Sequence, residues 1–209
     1  MKIYYFLFIL LLILSVGCSK EQTKPINEEK IITEKQPEEV INMAKALFIV
    51  APNNFKDEEY FTPKEVLEEN GIKVVTCSLK PEAVSVKGKK AKVDVLLDKA
   101  TSDYDAIVFI GGPGASIYFE NAKAHGLAKE FNNKGKIVAA ICIAPVTLAN
   151  AGVLEGKEAT VWNGDYVGNL EEKGATYTGE DVTVDGNIIT ANGPGAAEEF
   201  GNKLVEALK

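Results

Sequence analysis

Lys136-Ile137-Val138-Ala139-Ala140-Ile141-Cys142-Ile143-Ala144-Pro145 is the stretch on which the fold turns. Its apolar run carries no polar alternation, the pattern of a strand covered on both faces. The run passes straight into Cys142, and a helix over 145–151 opens at Pro145. The same punctuation recurs on either side. Residues 46–50 are another buried run. Residues 57–70 carry a helical pattern, with Phe61, Val66 and Leu67 apolar, and stop at Asn70-Gly71. Strands are predicted over 72–79, as short pieces in 84–95 around Lys87-Gly88-Lys89-Lys90, and over 104–110, which ends in Gly111-Gly112-Pro113-Gly114. A helix over 120–133 precedes the opening stretch. Short strands near Thr160, Tyr177, Val182 and Ile189 and a closing helix over 196–208 follow it. Strands alternating with helices predict an α/β fold with a mainly parallel sheet. In such sheets the functional groups gather at the carboxyl ends of the strands.

Composition narrows the function. The chain has 209 residues, 46% hydrophobic, enough for one sizeable core. Its net charge is −7, and all 23 basic residues are lysine. Without arginine it lacks the planar fork that grips phosphates and guanine edges, so no nucleic-acid partner is expected. Three cysteines are too few for a disulfide framework. One histidine excludes a metal site built from several imidazoles, and no metal is expected.

Residues 1–17 read as a leader: Lys2, then an apolar run from Ile3 to Val16, shorter than the roughly 20 residues of a membrane span. Leu14-Ser15-Val16-Gly17-Cys18 resembles a bacterial lipobox, with Ser15 where leucine is usual. The resemblance implies that Cys18 becomes the lipidated first residue of the mature protein. Residues 18–43, rich in Lys, Glu, Gln, Asn and Pro, read as a flexible tether. The folded domain is then 44–209, held outside the cytoplasm at the cell envelope by a lipid anchor in a bacterial membrane.

Two strand ends carry chemistry. Cys142 sits where a buried strand turns abruptly into a helix, a nucleophile elbow. The helix beginning at Pro145 favours thiolate over thiol, so a lowered pKa is expected. Locally the residue is equally readable as a small buried hydrophobe. Gly111 and Gly112 lack Cβ atoms, so their N–H groups, with that of Ile143, are candidates for an oxyanion hole. A plain tight turn is the other reading. A phosphate loop is excluded, because no Gly-Lys-Ser/Thr ending follows.

Ala140-Ile141-Cys142-Ile143-Ala144-Pro145, with Ile110-Gly111-Gly112-Pro113-Gly114 before it and Asn192-Gly193-Pro194-Gly195 after it, resembles the ThiJ/PfpI superfamily. That superfamily includes deglycases and so-called intracellular proteases, and shares its fold with class I glutamine amidotransferases. The likeness covers residues 44–209, including the Val184-Asp185-Gly186-Asn187 hairpin. It implies a flavodoxin-like three-layer sandwich, no cofactor, and a homodimer. It also implies a glutamate against the nucleophilic sulfur, four residues before a proline; here that is Glu59, before Pro63. Two anions in close contact are costly, so Glu59 is expected protonated and donating to the thiolate. Without the resemblance, Glu59 is a solvated member of Asp57-Glu58-Glu59.

The departures from the family pattern matter. Ile143 stands where the protease-like branch carries a histidine, and Trp162 where the deglycase branch does. The sole histidine, His125, reads as a surface helix residue, so no Cys–His pair is expected. Cys77 and Trp162 read as core, Tyr118 is unassigned, and a Cys77–Cys142 disulfide stays open. The first functional expectation is a cysteine enzyme acting on small reactive carbonyls, as glyoxalase III and deglycases do. In it Cys142 attacks, Glu59 shuttles the proton, and the Gly112 and Ile143 amides hold the oxyanion. The alternative is a redox-responsive or binding module using an oxidisable Cys142. A peptidase or amidase ranks last.

Overall fold

The computed structural model of the protein describes residues 43–209. The leader, Cys18 and the tether up to residue 42 lie outside the described residues. In chain order the elements are β1 (Lys45–Ile49), β2 (Asn53–Phe55), α1 (Asp57–Glu69), β3 (Lys73–Ser78), β4 (Glu82–Ser85), β5 (Lys90–Lys92), β6 (Val95–Leu96), β7 (Ala106–Phe109), α2 (Ala122–Asn133), β8 (Ile137–Ile141), α3 (Pro145–Asn150), β9 (Glu158–Ala159), α4 (Asp165–Glu172), β10 (Thr176–Tyr177), β11 (Val182–Asp185), β12 (Ile188–Ala191) and α5 (Ala197–Leu208). Short 3₁₀ turns cover Leu97–Lys99, Pro113–Tyr118 and Pro194–Ala196.

Seven strands form one sheet in the order β11-β12-β8-β7-β1-β3-β6. Only the β11–β12 pair is antiparallel. The unbroken apolar strands follow from this, since both faces are covered. In β1, Leu47 and Ile49 pack with Leu127 and Phe131 of α2 and Leu148 of α3. Ala46 and Phe48 pack on the opposite face with Leu67 of α1 and Phe200 and Leu204 of α5. The result is the three-layer α/β sandwich, with α2, α3 and α4 on one side and α1 and α5 on the other.

Three features depart from the expected element map. Residues 53–55 form a strand, β2, which joins β4 and β5 in a separate three-stranded sheet. Of the 84–95 region, only β6 adds to the main sheet, at its edge. Helix α4 was not expected; it is eight residues long and buries fully only Leu170, so it leaves no periodic stripe to read. Among the described residues no helix is long and apolar enough to cross a membrane.

Candidate active site

β8 ends at Ile141, and Cys142 follows with φ +65, a left-handed conformation rare for a residue with a Cβ. Two main-chain bonds hold it there. The Cys142 N–H donates to the Ala191 carbonyl at 2.9 Å, and its own carbonyl accepts from the Trp162 N–H at 2.8 Å. A strained residue over-determined by its surroundings is what a nucleophile elbow requires. Next to it, β7 ends in Gly111-Gly112. The Gly111 carbonyl accepts from the Lys56 N–H at 3.1 Å, which ties the start of α1 to the end of β7. Glu59, in the first turn of α1, is thereby directed inward and has no exposed surface.

Gly111 explains how the acid and the sulfur come together. A Cβ there would lie 2.5 Å from both Glu59 Oε2 and Cys142 Cβ, and 2.6 Å from the Ile141 carbonyl. Its N–H faces the Glu59 carboxyl, whereas the N–H groups of Gly112 and Ile143 face the sulfur. Gly112 has φ +96, and a Cβ there would be 2.5 Å from the Lys56 nitrogen. Of the three expected oxyanion residues, Gly112 and Ile143 thus point at Cys142, and Gly111 serves the carboxyl. The Gly111→Ala protein is expected to lose about 1–3 kcal/mol of stability from overpacking. Its residual folded fraction is expected to react more slowly at Cys142. Denaturant unfolding and the alkylation rate of the thiol measure the two effects.

The expected low thiol pKa is corrected by the structure. Cys142 is only 8% exposed, and burial pushes its thiol up to about 12, with the neighbouring Glu59 charge adding to the rise. The Gly112 and Ile143 amides pull the other way without prevailing. The helix that was to favour the thiolate, α3, is six residues long. Burial also raises Glu59, from its ordinary 4.5 to about 7, against the lowering influence of the Cys142 thiol and Lys56. Both Glu59 oxygens are buried without a partner of good hydrogen-bond geometry, so nothing firmly stabilises the carboxylate. The two groups repel as anions, and near neutral pH the pair holds one negative charge at most.

Cys142 and Glu59 open onto a cavity of about 310 Å³, at the small end of ligand pockets. Trp162, expected in the core, is 47% exposed and stands at this cavity instead. Its ring lies against the Gly193 backbone, where a Cβ would be 2.6 Å from it. Tyr118 is buried away from the site and donates its hydroxyl to the Val50 carbonyl at 2.7 Å. Cys77 is fully buried on the opposite face of the sheet from Cys142, and both are free thiols. His125, in α2, is partly buried; its Nε2 lies 2.8 Å from the Phe119 carbonyl, outside the cavity. Among the described residues no group of three or more His, Cys, Asp or Glu is disposed to hold a metal.

Sequence reasoning missed two lining residues, Lys56 and Tyr166. Lys56 sits in a strand–helix connection at the carboxyl edge of the sheet, the position where functional groups collect, and that signal was available. Tyr166 belongs to α4, which left no trace.

The family model described as DJ-1/PfpI family matches residues 44–207. The chain is 43% identical over 183 residues to an uncharacterized protein of Methanocaldococcus jannaschii, covering 86% of this chain and 89% of that one. It is 34% identical over 170 residues to Deglycase PfpI of Pyrococcus furiosus, covering 79% of this chain and 99% of the relative. Among solved structures, the ThiJ/PfpI domain protein from Brachyspira murdochii superposes with a TM-score of 0.77 at 34% identity, over 79% of this chain and 96% of that one.

Proposed function

The chain belongs to the DJ-1/PfpI family, and from that premise we propose that it is a cofactor-free, cysteine-dependent enzyme acting on small reactive carbonyls, in the manner of glyoxalase III and deglycases. The observation that carries the reading is the strained Cys142 facing a buried, unpartnered Glu59 at the floor of a small cavity. A carboxyl with a pKa near 7 is matched to proton transfer at neutral pH. The Glu59 carboxylate takes the thiol proton as Sγ bonds to the aldehyde carbon. The carbonyl π pair moves to oxygen, against the N–H groups of Gly112 and Ile143. Protonated Glu59 returns its proton to that oxygen, leaving a neutral hemithioacetal.

With methylglyoxal, Glu59 then moves the former aldehyde hydrogen, as a proton, to the adjacent carbon through an enediol. A thioester results, and water releases lactate and the free thiol. The sum is methylglyoxal plus water to lactate, with no external oxidant or reductant. The test is to incubate the purified protein with methylglyoxal and measure lactate. Lactate formation by the wild type supports the reading. Absence of lactate, with sulfur oxidation at Cys142 seen by intact mass after mild peroxide, supports the redox-module alternative instead. The raised thiol pKa weighs against that alternative, because the thiolate is the form that oxidises. Peptide hydrolysis is disfavoured by the absence of a histidine at the cavity.

On sequence grounds the same proposal holds the domain at the cell envelope through lipid on Cys18. Radiolabelled palmitate is expected to enter the wild-type protein and to be lost from the Cys18→Ala protein, which moves to the soluble fraction. Label retained in that variant contradicts the anchor.

A further inference from the structure

Lys56 is the only cation lining the cavity that holds Cys142 and Glu59, among the described residues. The residue is pinned at its main chain, where its N–H bonds to Gly111 at the end of β7. Its side chain is partly buried, and its Nζ makes no hydrogen bond among the described residues. Its one ion pair is long, 3.7 Å to Glu58 Oε2. Glu58 is shared, because Oε1 pairs with Lys87. Glu58 Oε2 is itself buried with no hydrogen-bond partner, so the 3.7 Å approach satisfies neither group. An ammonium with three donors is thus held at the cavity without a committed acceptor. Its charge is felt at the reacting pair, where it opposes the rise of the Glu59 pKa.

The remainder of the lining is largely apolar, with Pro113, Ile143, Trp162 and Pro194 around the sulfur. A ligand that carried its carbonyl to Cys142 and a carboxylate to Lys56 would give the Lys56 ammonium the acceptor it lacks. An uncharged dicarbonyl would leave Lys56 with its poor partner. We propose that Lys56 makes this site selective for small aldehydes that bear a carboxylate, held by an ion pair at one end while Cys142 adds at the other. The proposal rests on the carbonyl reading of the same site. The addition is balanced: the thiol S–H breaks, Sγ bonds to the aldehyde carbon, and the proton ends on the former carbonyl oxygen.

Glyoxylate and its methyl ester test this, since they share the aldehyde and differ in charge. The chain has one tryptophan, Trp162, and it stands at the cavity, so its fluorescence reports binding whether or not turnover follows. Charge-assisted hydrogen bonds of about 1.5–3 kcal/mol correspond to roughly ten- to a hundredfold in affinity. The wild type is expected to bind glyoxylate at least tenfold more tightly than methyl glyoxylate, and added salt is expected to shrink the ratio. The ratio is expected to collapse toward one in Lys56→Gln and to persist in Lys56→Arg, which keeps the charge and controls for folding. Equal affinities for acid and ester in the wild type overturn the proposal, as does an unchanged ratio in Lys56→Gln. If the carboxylate preference is found but methylglyoxal yields no lactate, the catalytic reading fails and the selectivity stands.

Discussion

The Cys142→Ala protein is expected to convert methylglyoxal about 10⁴-fold more slowly than the wild type, or not measurably. Removing a nucleophile takes away the covalent intermediate, and in enzymes built on one this leaves only residual catalysis by binding and by the oxyanion donors. Folding is not expected to suffer. The residue sits at φ +65, which alanine tolerates no worse than cysteine, and the clamps to Ala191 and Trp162 are main-chain bonds. Loss of the thiol also removes a neighbour that favours the Glu59 carboxylate, so thermal stability near neutral pH is expected to hold or fall slightly. Lactate production by Cys142→Ala at more than a tenth of the wild-type rate contradicts the assignment.

The second large effect belongs to Glu59→Gln, and it has two parts. Loss of a positioned general base is worth about 10²–10⁴-fold in rate. Stability changes as well. Glu59 rises from its ordinary 4.5 to about 7 in the folded chain. Between those values the folded state holds a proton that the unfolded state has released. Stability is therefore fully present below about pH 4.5 and falls as pH rises through about 7. The full loss is about 3 kcal/mol, from 1.4 kcal/mol per pH unit. Glu59→Gln cannot lose that proton, so its melting point is expected to fall less than the wild type's between pH 4.5 and pH 8. For a domain of this size the difference is roughly 6–12 °C. Identical pH dependence of melting in the two proteins contradicts a buried, proton-holding Glu59.

Much of the fold and part of the site were legible in the residues themselves. The 136–145 stretch announces both a two-faced strand and an abrupt end at Cys142, because continuous apolarity and a sudden break leave few alternatives. Gly111 and Gly112 were legible as a close-approach point, though not the division of labour between them, which depends on which neighbour each amide faces. Glu59 was not legible from its own surroundings: three consecutive acids look solvated, and only the main-chain tie from Lys56 to Gly111 turns the third inward. The ionisation of Cys142 was misjudged because the helix after it is only six residues long and burial outweighs the two amides that face the sulfur. Trp162 was assigned to the core by residue type, yet its main chain is held by Cys142 while its ring lies over Gly193 at the cavity. Tyr166 went unseen because α4 is too short to show a period, whereas Lys56 was legible from its strand–helix connection and was passed over.

Glu59, and not the thiol alone, sets when the site can react. The measurement that bears on this most directly is kcat/KM for methylglyoxal from pH 5 to 9, in the wild type and in Glu59→Gln. The wild-type rate is expected to climb through a single ionisation near 7, as Glu59 becomes a base. The variant is expected to be slow throughout, with no inflection there. A variant that keeps the wild-type inflection would contradict it, as would a wild-type rate that rises only toward the pH at which the thiol itself ionises.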